Sequence, residues 1–208
     1  MAFHKKTVRD VPVDNMTVLV RVDFDAPLNE NGEVIDDLWI KSSVTTIEYL
    51  LNRGCKVVIV AHYGKPIDRD KKYTLEPAAA RLAQLLRQDI RFVNEVIGDK
   101  VLQAVKRAPS KSVVVLENLR FHPGEEDNDY EFAKQLVEST GARYLIQDGF
   151  NAAHHRHAST SAITAFLPSV AGISLEYDYL TILRALAVTK AANQINLPGV
   201  EILLDAGR

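Results

Sequence analysis

A three-layer αβα sandwich built on a mainly parallel, six-stranded, Rossmann-like sheet is the α/β fold this sequence predicts, on three observations. Short apolar runs rich in β-branched residues recur along the 208 residues, each bounded by polar, Gly or Pro positions. Segments with helical spacing separate them. The runs are apolar nearly throughout rather than alternating, as expected for parallel strands covered on both faces.

The strands are read at residues 17–22, 56–61, 90–93, 112–116, 143–147 and 200–204. After the first strand, Ile40, Val44, Ile47, Leu50 and Leu51 recur at helical intervals up to Arg53-Gly54, where glycine suits a helix C-terminus. A second helix begins near Thr74 and carries Leu82, Leu85 and Leu86 on one stripe, with Pro77 early enough for its missing donor to be harmless. Helical stretches at 99–107 and 129–138 complete the alternation, and 176–190 reads as a longer helix. We expect residues 1–172 to form one lobe, and 173–208 to supply a linker helix and the first strand of a second.

Composition narrows the function. The chain is 47% hydrophobic and 25% charged, and 25 Lys+Arg against 27 Asp+Glu leave a formal charge of −2. That balance gives no bulk attraction to nucleic acid or an anionic membrane, so neither is expected as a partner. Cys55 is the sole cysteine, which excludes an intrachain disulfide and a thiolate zinc cluster and leaves a buried, unreactive strand residue as its reading. Residues 1–13 lack the apolar core of a signal peptide, and no stretch approaches a membrane span, so a cytoplasmic protein is expected.

In doubly wound sheets ligands bind beyond the carboxyl ends of the strands. The loops that follow these strands carry Arg21-Val22-Asp23-Phe24-Asp25-Ala26-Pro27, Ala61-His62-Tyr63-Gly64-Lys65-Pro66, a run from Glu117 through Arg120 to Glu126, and a run from Asp148 through His154-His155-Arg156-His157 to Thr160. Cations, imidazoles and small residues at one rim suit a phosphorylated or carboxylated small ligand. His154 and His157 are three apart, but no acidic or Cys partner stands at an obvious spacing, so hydrogen-bond donation is the reading and metal the alternative.

At these loops the chain resembles the substrate-binding lobe of phosphoglycerate kinases. Asp23-Phe24-Asp25-Ala26-Pro27 is similar to the family's Asp-Phe-Asn-Val-Pro, and Asp36-Asp37-Leu38-Trp39-Ile40 stands where the family has Asp-Asp-Thr-Arg-Ile. Ala61 to Pro66 matches Ser-His-Leu-Gly-Arg-Pro, and His154 to Thr160 matches His-Arg-Ala-His-Ala-Ser-Thr. The resemblance implies reversible phosphoryl transfer between 1,3-bisphosphoglycerate and ADP, with 3-phosphoglycerate held by this lobe. No cofactor is expected on this chain, and Mg-ADP or Mg-ATP would enter only with a separate nucleotide lobe. The family's Leu-Gly-Gly-Ala-Lys appears as Leu203-Leu204-Asp205-Ala206-Gly207.

The resemblance places Asp23, Asp25, Trp39, His62, Lys65, Arg120 and His155 at substrate-contacting positions. Asp23, His62 and Arg120 keep the family's residue types. Trp39 and His155 stand for arginines, Lys65 for an arginine and Asp25 for an asparagine. Phosphoryl transfer relies on fixed cations facing developing charge, and an indole offers one hydrogen bond only. The changes remove roughly three positive charges, each worth about 4 kcal/mol at 4 Å before desolvation. Arg156 is a candidate for compensation.

From the residues alone other readings stand beside these. Asp23 can cap a turn, Arg120 can pair with Glu125 or Glu126, and Trp39 can be a packing residue or stack on an altered ligand. Two function classes follow. One is a substrate lobe, inactive as this chain alone, for a phosphorylated three-carbon acid. The other is a free-standing pseudoenzyme that binds a phosphometabolite or a protein. The expected partner chain is a second copy or a separate C-terminal lobe, because the resemblance implies that the family's final helices pack back on this lobe, and without them that apolar surface and the strand at 200–204 would lie open.

Overall fold

A computed structural model of the protein describes residues 3–194. Six strands, β1 (Thr17–Arg21), β2 (Lys56–Val60), β3 (Ile90–Val93), β4 (Val113–Leu116), β5 (Tyr144–Gln147) and β6 (Ser169–Ala171), form one sheet in the order β3-β4-β2-β1-β5-β6. Every pairing in it is parallel. Around it run α1 (Leu38–Asn52), α2 (Glu76–Leu86), α3 (Asp99–Arg107), α4 (Tyr130–Thr140), the short α5 (Phe150–Ala153) and α6 (Ile173–Gln194).

The period of two along each strand divides the apolar side chains between the faces. Val18, Val20, Val57, Ile59, Val113 and Val115 join Ile40, Ile47 and Leu50 of α1 and Leu82 of α2 in one core. Leu19, Val58, Val60, Val114 and Leu116 join Val101 and Val105 of α3 and Phe132 and Leu136 of α4 in the other. With both faces covered, the strands read as continuous apolar runs, and the predicted three-layer sandwich is the architecture observed.

Helix ends follow local chemistry. Asp129 caps α4 by accepting from Phe132 N at 2.7 Å, and Pro77 lies in the first turn of α2. After α1, Gly54 takes φ +78°, and a Cβ there would lie 2.2 Å from Asn15 Oδ1, so only glycine closes this end.

One element differs from expectation. The sixth strand of the described sheet is β6, which pairs Ile146 with Val170, whereas the run at 200–204 lies outside the described residues, as do positions 203–207. β6 has three residues and a single β-branched side chain, too little pattern to announce a strand; its place is set by the neighbouring β5. No helix among the described residues is long and apolar enough to cross a membrane.

The strand order places the functional loops. From β1 the chain moves outward to β2 and then to the edge strand β3, comes back in to β4 between them, and crosses to the opposite side of β1 at β5. The loops after β1, β2, β4 and β5 therefore meet over a switch point, where such sheets hold ligands.

Candidate functional site

The floor of this crevice is a polar chain buried beneath the loops. Arg21, the last residue of β1, is fully buried with its guanidinium in three directions. Nε donates to Ser159 Oγ at 3.0 Å, Nη1 to the Val22 carbonyl, and Nη2 meets His62 Nδ1 at 2.5 Å. Ser159 passes the contact on: its hydroxyl donates to Glu125 Oε1 at 2.6 Å and its backbone N–H to Oε2 at 3.0 Å. Arg21 and Glu125, both buried, are thus coupled through one hydroxyl, and residues from the loops after β1, β2, β4 and β5 are tied into a single network. A buried cation and carboxylate persist only with such partners.

The network sets protonation. Burial first, then Arg21 and Arg120, drive His62 down to about 2, so this imidazole is neutral at physiological pH. Burial raises Glu125, opposed chiefly by Arg21. Arg21 keeps its charge, because a guanidinium stays protonated in proteins.

Above this floor the loops after β1, β2 and β4 clamp Gly64 from two sides. Asp25 Oδ1 accepts from Gly64 N at 3.0 Å, and Arg120 Nη1 donates to the Gly64 carbonyl at 2.6 Å. Asn118 braces the same loops by donating to the carbonyls of Tyr63 and Tyr73 and accepting from Arg120 N. Arg120 Nε lies 2.7 Å from Glu126 Oε1, an ion pair whose angle leaves that N–H without a hydrogen bond among the described residues. The pairing open to Arg120 in the sequence is therefore with Glu126, while Glu125 belongs to the floor.

Asp23 sits at the β1–β5 seam. Its Oδ2 accepts from Asn151 N at 2.8 Å, and Oδ1 is buried without a hydrogen-bond partner among the described residues. Burial raises its pKa, opposed by these backbone donors and Arg21. Gly149 makes the approach possible, since a Cβ there would lie 2.6 Å from Asp23 Oδ1 and 3.0 Å from the Val22 carbonyl carbon.

The histidines cluster at the rim. The His155 ring lies 4.0 Å from that of His154, stacks on His157 at 4.8 Å and 9°, and meets His62 edge-on at 6.3 Å. His155 is half-buried, while Lys65 and Arg156 are exposed. Burial, then the neighbouring imidazoles and arginines, lower His155 below the usual histidine range.

Of the sequence-predicted residues, the structure gathers Asp23, Asp25, His62, Arg120 and His155 around this crevice, with Lys65 beside Gly64 on its rim. Trp39 lies in an adjoining cleft, one of whose residues, Asp178, is close enough to act on the Asp23 carboxyl. On the first turn of α1 it lines an apolar cleft of about 610 Å³ with Leu38, Ile173, Tyr177 and Asp178, between α1 and α6. Residues that the sequence reading placed in these loops but gave no part in the site are Arg21, Glu125 and Ser159. Their one signal is an arginine ending an otherwise apolar strand.

Comparison with known proteins gives one consistent result. The phosphoglycerate kinase family model matches residues 8–199. The chain is similar to the phosphoglycerate kinase of Coprothermobacter proteolyticus, 45% identical over 181 residues that cover 86% of this chain and 46% of the relative. It is likewise 45% identical over 175 residues to that of Pelotomaculum thermopropionicum, covering 84% of this chain and 44% of the relative. Phosphoglycerate kinase from Pyrococcus horikoshii OT3 superposes with a TM-score of 0.78 at 31% identity, covering 86% of this chain and 45% of that one. The chain spans about half the length of the relatives it matches.

Proposed function

The chain belongs to the phosphoglycerate kinase family, and from that premise we propose that these 208 residues form its substrate lobe, binding a phosphorylated three-carbon acid, 3-phosphoglycerate, for transfer between 1,3-bisphosphoglycerate and ADP. The observation that carries the reading is the convergence of Arg21, His62, Arg120 and His155 at the carboxyl ends of β1, β2, β4 and β5. His62, Arg120 and His155 bind and orient the anionic acid, while buried Arg21 holds His62 in place beneath them. His62 supplies a neutral donor, and Arg120 a cation held at the Gly64 carbonyl.

Mg-ADP or Mg-ATP belongs, in this reading, to a separate lobe, and the 208 residues alone bind without transferring phosphate. The length relation to the relatives supports this, as does Trp39, which puts an indole where the resemblance expects a cation facing the transferred group. A lone buried thiol at Cys55 fits a reducing, cytoplasmic setting.

Trp39 also favours a second reading, a non-catalytic binder of a phosphometabolite or a protein. Together with exposed Tyr177, Ile182, Leu186 and Val188 on α6, it offers apolar surface that a second copy or a C-terminal lobe would cover.

Titration calorimetry with 3-phosphoglycerate at low salt tests the assignment. We expect micromolar to low-millimolar binding that is lost in Arg120→Ala, and no phosphoryl transfer by the chain alone. Absence of both heat and thermal shift would refute the substrate-lobe reading, and a clean monomer by light scattering at high concentration would refute self-association.

A further inference from the structure

The cleft between α1 and α6 combines apolar walls with an unbalanced charge. Leu38, Trp39, Ile173 and Tyr177 form the walls, and Asp178 is the one charged residue lining it among those described. This half-buried carboxylate makes no hydrogen bond or ion pair among the described residues. Burial raises its pKa, and no cation offsets the rise. Cations on the neighbouring elements are already committed, Arg9 to Glu176 of α6 and Lys41 of α1 to Asp37 at 2.8 Å. Two lining hydroxyls are also spent on backbone, Ser42 on the Trp39 carbonyl and Ser174 on the Ser42 carbonyl. Asp178 adds its charge to that of Asp23, so the boundary between this cleft and the substrate crevice is negative on both sides.

The walls restrict what can balance that charge. An apolar surface laid over the cleft would bury Asp178 without compensation, so the occupant must bring the cation itself. Trp39 and Tyr177 keep 36% and 66% of their surface exposed, which leaves both rings open to a ligand. A guanidinium fits this setting better than an ammonium. It is planar and weakly hydrated, stacks on an indole and offers a carboxylate two parallel N–H donors, whereas an ammonium is a strongly hydrated point charge. Leu38 and Ile173 provide apolar contact for an aliphatic stem. The volume of about 610 Å³ lies within the range of roughly 300–1,000 Å³ of small-molecule sites.

We propose that the α1–α6 cleft binds a small guanidino compound, a guanidinium on a short aliphatic stem, with Asp178 pairing with the cation, Trp39 stacking on it, and Leu38 and Ile173 covering the stem. The site goes beyond the substrate-lobe reading and stands or falls without it. No bond to the ligand forms, and recognition rests on charge and stacking alone.

Trp39 is the only tryptophan of the chain, so its fluorescence reports the cleft directly. The probe is n-butylguanidinium, titrated into the full chain at low salt and neutral pH, with n-butylurea as the uncharged analogue of the same shape. We expect a saturable change in emission at millimolar concentration or below, little response to n-butylurea, and several-fold weaker binding of n-butylammonium. Asp178→Asn should weaken n-butylguanidinium about tenfold or more, the loss of one charge-assisted pair. Trp39→Leu, followed by calorimetry, should weaken it several-fold. Trp39→Arg sets a guanidinium inside the cleft and should abolish binding. Binding of n-butylurea or n-butylammonium as tight as that of n-butylguanidinium, or an unchanged affinity in Asp178→Asn, would overturn the proposal. So would Trp39 emission that shifts with protein concentration in the absence of probe, because a second copy would then be the occupant.

Discussion

Arg21 Nη2 donates to His62 Nδ1 across 2.5 Å, and because a guanidinium has no acceptor, the proton of this imidazole must reside on Nε2. The contact therefore fixes a tautomer as well as a position. Burial and the two nearby arginines keep the ring neutral, so His62 offers one aimed N–H to a ligand without contributing charge. We expect nitrogen chemical shifts of a neutral Nε2–H imidazole for His62, constant from pH 5 to pH 8. A midpoint near the usual histidine value would show that Nδ1 carries the proton and that the contact with Arg21 does not exist in solution.

Arg21 has a second partner in Glu125, reached through Ser159, and their burial makes the pair costly to break singly. Arg21→Met should lose about 3–5 kcal/mol in urea unfolding at neutral pH, because Glu125 is left buried without a cation. Burial already raises Glu125, and removal of Arg21 raises it further. The variant should accordingly recover part of the loss as pH falls and the carboxyl is protonated. Adding Glu125→Gln should recover much of it at any pH. Equal losses in the single and double variants would mean that packing, not charge, dominates.

The fold was legible in the sequence wherever a strand is buried on both faces. Residues 17–22, 56–61 and 112–116 are apolar enough to declare themselves, and β1, β2 and β4 lie within them. The edge strand β6 was not, since Ser169, Val170 and Ala171 hold their place through pairing with β5 rather than by any pattern of their own. At the site, Asp23, His62, Arg120 and His155 were legible because they stand in loops that follow strands. Arg21 and Glu125 were hidden for the opposite reason: a buried polar network is defined by contacts distant in sequence, and Ser159 is 138 residues from the arginine it binds. Trp39 was legible as a departure from the family pattern but not as part of an α1–α6 cleft, because α6 reaches α1 only through the tertiary fold.

The seam between β1 and β5 depends on Gly149. Its missing Cβ leaves room for Asp23 Oδ1, and the Val22 carbonyl carbon would also stand 3.0 Å from an added methyl. Neither neighbour is the free end of a flexible chain. Gly149→Ala should therefore displace the Asp23 carboxylate and cost about 1–3 kcal/mol in urea unfolding. Affinity for 3-phosphoglycerate should fall with it, while the far core around Leu136 keeps its amide protection. Unchanged stability and affinity would mean that the seam opens freely.

Asp148 makes a prediction whose sign runs against the usual carboxylate. The buried side chain holds the start of α6, with Oδ1 accepting from Thr46 Oγ1 at 2.8 Å and from Ser174 N at 3.0 Å, while Oδ2 has no hydrogen-bond partner among the described residues. Burial outweighs these donors and pushes its pKa up from 3.8 to about 6. Between those limits the folded chain keeps a proton that the unfolded chain has lost, so the contribution of Asp148 to stability falls as pH rises from about 4 to 6 and is level above. The span corresponds to about 3 kcal/mol. Asp148→Asn keeps an acceptor for Thr46 and Ser174 and cannot ionise. The stability of the natural chain minus that of the variant should decline by up to this amount between pH 4 and pH 7.5. A difference that grows with pH would instead show that the ionised carboxylate is the form α6 prefers.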